Sequence, residues 1–228
     1  MIVGIIGAME NEIQILKEKM QIDKIEEKAS LTFYIGELYN KKVVLVKSGI
    51  GKVNAAMCTQ ILIDIYNVER VINTGVAGAL HPELEVGDIV VSTDTLQHDI
   101  DASVFGDPRG TIPGMKESIF IADKKLLEII DQISLTNQKI LKGRILTGDQ
   151  AIGCGETKTL LHKHFKGYCV EMEGGAIAHV CHLNKIPFLI IRAISDKADE
   201  EVEVNYNEFL ELAAGNSSFI LMNILEKL

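Results

Sequence analysis

Five carboxylates stand where apolar runs stop: Glu10, Glu12, Glu171, Glu173 and Asp196. The run Phe188-Leu-Ile-Ile-Arg192-Ala-Ile-Ser195-Asp196 reads as a buried strand that ends abruptly in an arginine, a serine and an acid. Tyr168-Cys-Val-Glu171-Met172-Glu173 ends in two acids and then Gly174-Gly175, and the opening strand Ile2 to Gly7 runs into Met9-Glu10-Asn11-Glu12. In a parallel α/β sheet, ligands bind beyond the carboxyl ends of the strands. Acids gathered there would face one another across a pocket and could move protons to and from a ligand. Each acid also has a plainer reading. Glu171 and Glu173 suit the dipole at a helix start, Glu12 suits a first helical turn, and Asp196 suits a turn. Acids on alternate strand residues share one face, so Glu171 and Glu173 could also bind a diol.

The elements that must position these groups follow from periodicity. Strand-like runs are Val3–Ile6, Leu31–Glu37, Val43–Lys47, Val71–Asn73, Asp88–Leu96, Ile140–Leu146, Tyr168–Val170 and Phe188–Ile194. Helical spacing covers Asn11–Met20, Val53–Ile65, Lys124–Ile133, Glu156–His164, Gly174–Leu183 and Tyr206–Leu228. Strand and helix alternate, which predicts an α/β fold with helices flanking the sheet. Tyr39-Asn40-Lys41 reads as a turn between two strands, so the sheet is expected to be mixed. With no repeat and no linker, the 228 residues are expected to form a single domain, 1–228.

Composition narrows the partners. A net charge of −9 argues against nucleic acid, which needs a basic face. No apolar run approaches the roughly 18 residues of a membrane span, and the N-terminus reads as a first strand without a cleavage site. Cys58, Cys154, Cys169 and Cys181 form no CxxC pair, as expected of reduced thiols in the cytoplasm. His179 and His182 share a helix without the further ligands zinc needs, so no metal and no cofactor is expected.

Two glycine-rich segments bear on ligands. Ser48-Gly49-Ile50-Gly51-Lys52 lies between a strand and a helix but lacks phosphate-loop spacing, with Val53 where a Ser or Thr belongs. It reads as a turn that lets backbone approach a ligand. Asn73-Thr-Gly-Val76-Ala77-Gly78-Ala79 is a strand ending in small residues, either tight packing or the floor of a site for a flat or sugar-like ligand. The stretch from Gln97 to Ser118 is irregular and long enough to be functional or an interface. Within it His98-Asp99 reads as a polar brace, and Phe105 as a lone aromatic.

Six segments together resemble one family. Gly4-Ile-Ile-Gly-Ala-Met-Glu-Asn-Glu12, Lys47-Ser-Gly-Ile-Gly-Lys-Val-Asn-Ala55, Ile72-Asn-Thr-Gly-Val-Ala-Gly78, Val86-Gly-Asp-Ile-Val90, Val170-Glu-Met-Glu173 and Ile191-Arg-Ala-Ile-Ser-Asp196 are similar to the bacterial 5′-methylthioadenosine/S-adenosylhomocysteine nucleosidases, of the nucleoside phosphorylase superfamily. The resemblance implies a barrel-like mixed central sheet, a homodimer, and hydrolysis of the bond between adenine and ribose in methionine salvage. By motif, Asp196 would protonate adenine N7, Ser195 would support it, and Glu12 would activate water that Arg192 helps place. Glu173 would hold the ribose hydroxyls with Met172 beneath the sugar, and the Ile152 backbone would bind the adenine edge. Val76, Ala77, Gly78 and Ala151 would line the site. Met9, Ile50 and Tyr206 would line the 5′-thio pocket, with Phe105 and Pro113 reaching in from the partner.

The chain departs from the family pattern at Val76, where serine is usual, and at Ala151 and Tyr206, where phenylalanine is usual. The Gly148–Gly155 loop is also one residue short. The chemistry implied is that of glycosidic cleavage, an acid at the leaving group and a base on the water. A phosphate-dependent phosphorylase and a non-catalytic nucleoside-binding member are the alternatives. A dinucleotide-dependent dehydrogenase is disfavoured, since Gly4-Ile-Ile-Gly7 does not continue as GxGxxG.

Overall fold

The computed structural model describes residues 1–198 and 202–228, the side chains of 202–208 excepted. Ten strands join in one mixed sheet. Its centre is β5 (Arg70–Ala79), which pairs in parallel with β1 (Ile2–Gly7) on one side and β10 (Phe188–Asp196) on the other. From β10 the sheet continues through antiparallel β6 (Ile89–Gln97), then β8 (Ile140–Thr147) and β9 (Gly167–Glu171) in parallel steps. β9 returns to β5 through Gly78 and Ala79, closing a five-stranded barrel. Every residue of β10 is buried, and so is all of β5 after Arg70. Strands covered on both faces must read as near-continuous apolar runs, which is how both announce themselves in the sequence.

Beyond β1 the sheet extends through β4 (Lys41–Lys47), β3 (Leu31–Leu38) and β2 (Gln21–Lys28). Tyr39 and Asn40 form the whole β3–β4 link, with φ of 51° and 58°. Positive φ at both residues suits a two-residue hairpin. β2 was not among the expected strands. Its sequence, Gln-Ile-Asp-Lys-Ile-Glu-Glu-Lys, is charged and mostly exposed, as an edge strand that avoids further pairing should be. The short β7 (Ile119–Ile121) on β6 was likewise not expected.

The helices are α1 (Glu10–Lys19), α2 (Lys52–Asp64), α3 (Lys124–Ile130), α4 (Gly155–Phe165), α5 (Gly174–Asn184) and α6 (Val202–Lys227). α3 stops three residues short of the expected end, and the 97–118 stretch holds only a 3₁₀ turn at Ser103–Phe105. α6 packs over β10, β5 and α1, and its buried Ser217 pairs with Thr74 of β5 at 2.9 Å.

Phe33 anchors the outer hairpin. It is fully buried and sits 4.8 Å, centroid to centroid, from the Tyr66 ring. Phe33→Ala should lower the unfolding free energy by about 3–5 kcal/mol, seen as a lower denaturant midpoint with an unchanged slope. A loss below about 1 kcal/mol would mean that this hairpin unfolds apart from the barrel.

Candidate active site

Glu12 is placed by the turn from β1 into α1. It is 2 % exposed, and its carboxylate reaches back over the helix start. Oε2 accepts from the backbone N–H of Ala8 (2.6 Å) and Met9 (3.0 Å), and Oε1 accepts from Val76 N–H on β5 (3.0 Å). Burial pushes its pKa above the usual glutamate value, opposed by the Arg192 charge and these three N–H groups. The result is a rigidly held carboxyl with an enhanced affinity for a proton.

Asp196 ends β10 beyond an irregularity. The register with β5 shifts between Ile194 and Asp196, so Asp196 lies opposite Gly78. Such a bulge re-aims a side chain at a strand end. Oδ2 accepts from the Ser195 hydroxyl (2.8 Å) and Oδ1 from Ala198 N–H (2.8 Å). A Cβ on Gly78 would stand 2.9 Å from Oδ1, so a glycine at that position leaves the carboxyl its space.

Between these acids lies a buried charge cluster. Arg192 is 0 % exposed. Its Nη2 donates to Asn73 Oδ1 (2.6 Å) and to Glu171 Oε2, its Nε also donates to Glu171 (3.1 Å), and Glu173 is 3.6 Å away. Glu171 further accepts from the N–H groups of Glu173 (3.0 Å) and Gly174 (2.7 Å) and from the Thr147 hydroxyl. Thr147 in turn accepts from Gly175 N–H at 2.6 Å. Glu171 is thus consumed in fixing the start of α5. Glu173 accepts from the Gly51 N–H (2.8 Å), its one hydrogen-bond donor among the described residues beside its contact to Arg192. Burial, aided by the Glu171 charge, pushes its pKa up to about 7. Gly75 makes the cluster possible: a Cβ there would overlap Arg192 Nη1 and stand 2.5 Å from Glu12 Oε1.

One cavity unites most of the sequence-derived residues. Met9, Glu12, Ile50, Val76, Ala77, Gly78, Ala151, Ile152, Met172, Glu173, Ser195 and Asp196 all line it. Arg192 does not; it is fully buried and bonded as above. Phe105 is 88 % exposed and Pro113 is also exposed, and neither lines this cavity. The Tyr206 side chain lies outside the described residues. Ala8, Gln150, Val170 and Glu171 complete the wall. Of these only Glu171 carried a sequence signal, as one of the strand-end acids. Asn73, Thr147 and Gly75 support the site and were not assigned that task from sequence, because their partners are remote in the chain. In the glycine turn, the Gly51 N–H donates to Glu173 (2.8 Å). His179 stacks on Phe120 (4.8 Å), and no cluster of metal-binding side chains occurs among the described residues.

The model of the phosphorylase superfamily matches residues 2–226. A 5′-methylthioadenosine/S-adenosylhomocysteine nucleosidase of Bacillus cytotoxicus is 43% identical over 229 residues, covering 99% of each chain. The crystal structure of the Neisseria meningitidis nucleosidase of that name, in complex with methylthio-immucillin-A, superposes with a TM-score of 0.96 at 40% identity, covering 100% of this chain and 99% of that one. Futalosine hydrolase of Helicobacter pylori superposes at 0.94 with 32% identity, covering 100% and 98%.

The Glu173 environment has a measurable signature. Its folded pKa lies above the unfolded value of 4.5, so between pH 4.5 and about 7 the folded state binds more protons. The stability that Glu173 contributes falls as pH rises through that window. Glu173→Gln removes this contribution. The melting temperature of the variant relative to the parent should therefore climb from pH 4.5 to pH 7.5, and a difference that stays flat would contradict the buried placement of this acid.

Proposed function

We propose, from the premise that this chain belongs to the phosphorylase superfamily, that it hydrolyses the N-glycosidic bond of 5′-methylthioadenosine and S-adenosylhomocysteine. The products are adenine and the 5′-substituted ribose, in salvage of methionine and of S-adenosylmethionine by-products. The full-length nucleosidase relatives support this reading. The observation that carries it is the cavity wall: four carboxylates, Glu12, Glu171, Glu173 and Asp196, and no lysine or arginine among the described lining residues. A phosphorolytic site must attract an anion, whereas this wall repels one. Water is the nucleophile that fits.

In this reading the residues take the following parts. Asp196, with the Ser195 hydroxyl on its Oδ2, gives a proton to adenine N7. The C1′–N9 bond breaks and its electron pair leaves with the base. Glu12 takes a proton from water as the oxygen bonds C1′, helped by Arg192, whose Nη1 and Glu12 Oε1 both lie beside Gly75. Glu173 holds the ribose hydroxyls, Met172 lies beneath the sugar, and the acidic wall favours the positive charge developing on the ribose. Val76, Ala77 and Gly78 form the floor, and the Ile152 backbone meets the adenine edge beside Ala151.

The 5′-substituent lies toward Met9 and Ile50. Ile50 is 52 % exposed, so the cavity opens there. In a homodimer, the exposed Phe105 and Pro113 of one protomer close that mouth on the other. The chain works as one domain, in the cytoplasm. Among the described residues no helix is long and apolar enough to cross a membrane.

Adenine release from 5′-methylthioadenosine should proceed equally with and without phosphate, and Asp196→Asn should slow it by about 10²–10⁴-fold, the usual worth of a positioned proton transfer. Strict dependence on phosphate would overturn the hydrolase reading; binding without release would favour a non-catalytic member. Ala151→Phe should restore a stacking surface and tighten adenine binding by about 1–3 kcal/mol. An unchanged dissociation constant for adenine would remove Ala151 from the base site.

A further inference from the structure

Two loops border the cavity from opposite sides of the chain. One, residues 49–52, carries Ile50; the other, residues 148–152, carries Ala151 and Ile152. Helix α2 starts at the end of the first loop with an unusual deficit. Its N-cap is Gly51, which has no side chain to offer, and its first turn holds no acid. The orphan N–H groups of a helix start need acceptors. Here both acceptors come from elsewhere: Gly51 N–H donates to Glu173 (2.8 Å), and Lys52 N–H donates to Asp149 Oδ1 in the second loop (2.8 Å). Gly51 has φ 96°, and a Cβ there would stand 3.2 Å from that same Asp149 oxygen. The glycine therefore serves both the turn and the approach of the second loop.

The link is closed into a ring by a third segment. Asp99, just past β6, accepts from Asp149 N–H with Oδ2 (2.9 Å) and pairs with Lys52 Nζ through Oδ1 (2.7 Å). The Lys52 and Asp99 side chains are 18 % and 14 % exposed, so the pair is partly shielded from solvent. Next to it, the buried His98 ring packs under Gly148, where any Cβ would overlap the imidazole. None of Lys52, Asp99 or Asp149 lines the cavity.

We propose that Lys52 and Asp99 are positioning residues: with Asp149 they form a latch that holds the sugar-side loop at a set distance from the base-side loop. This rests on the functional reading above, which places the base near Ala151 and Ile152. The latch acts on substrate only through Ile50, Glu173 and residues 151–152, so its loss should weaken binding more than chemistry.

The test uses the intact protein. Lys52→Met removes the ammonium but keeps the backbone N–H that Asp149 caps. With no substrate present, backbone hydrogen exchange in residues 148–152 should accelerate about tenfold although the substitution lies almost 100 positions away in the chain. KM for 5′-methylthioadenosine should rise about tenfold with kcat within about threefold. Asp99→Asn should do the same, the double variant should be no worse than the worse single one, and Lys52→Arg should restore both values. Unchanged exchange at 148–152, additive effects, or equal losses in kcat and kcat/KM would overturn the latch. Failure of the functional reading would look different: the parent protein would release no adenine, while the exchange measurement would still decide the latch.

Discussion

The site depends on one buried cation. Arg192 is the hub around which Glu12, Glu171 and Glu173 are gathered, and its charge acts on both Glu12 and Glu173. Carboxylates removed from water carry a heavy desolvation cost unless paired and hydrogen-bonded. One guanidinium serves three acids here, and the division of labour follows from how much of it each receives. Glu171 takes two of its nitrogens and becomes a structural anchor. Glu173, farther off, is left with a raised proton affinity, and Glu12 relies on three backbone N–H groups. Asp196 is held by Ser195 and Ala198. Separate environments for neighbouring acids let them take separate roles at one pH.

Barrel closure brings these groups to one rim. β1, β5 and β10 run in parallel, so their carboxyl ends point the same way. β9 runs against β5 but pairs with it only at Gly78–Val170 and Ala79–Cys169, the last two residues of β5 against the two that precede Glu171 in β9. Carboxyl ends of opposed strands therefore meet, and Glu171 and Glu173 arrive beside Asp196 and Glu12. The small residues of β5 are the counterpart of this crowding. Gly75 and Gly78 sit where the Arg192 guanidinium, Glu12 and Asp196 need the room.

Much of this was legible in the sequence. An apolar run that ends in acids marks a buried strand with functional groups at its end, and β10 and β9 carried that signal. The mixed sheet was legible in the Tyr39-Asn40 turn. Three things were not. β2 is a charged edge strand whose pairing depends on its neighbour and not on its own pattern. The role of Arg192 in the charge cluster depends on Asn73, Glu171 and Gly75, from segments far apart in the chain. The glycine turn before α2 was legible as a close approach, but its partners proved to be Glu173 and Asp149, which only the folded chain brings near. Tyr206 was placed in the 5′-thio pocket by resemblance alone, and its side chain falls outside the described residues.

Every assigned role converges on water attacking C1′ as adenine leaves. Its most direct test is a single turnover of 5′-methylthioadenosine in ¹⁸O-enriched water, with the sugar product analysed by mass spectrometry. Attack by water places one ¹⁸O atom on the released ribose and none on adenine, with the label incorporated at the rate of base release. A sugar bearing phosphate at C1′, or adenine released with no label on the sugar, would contradict it.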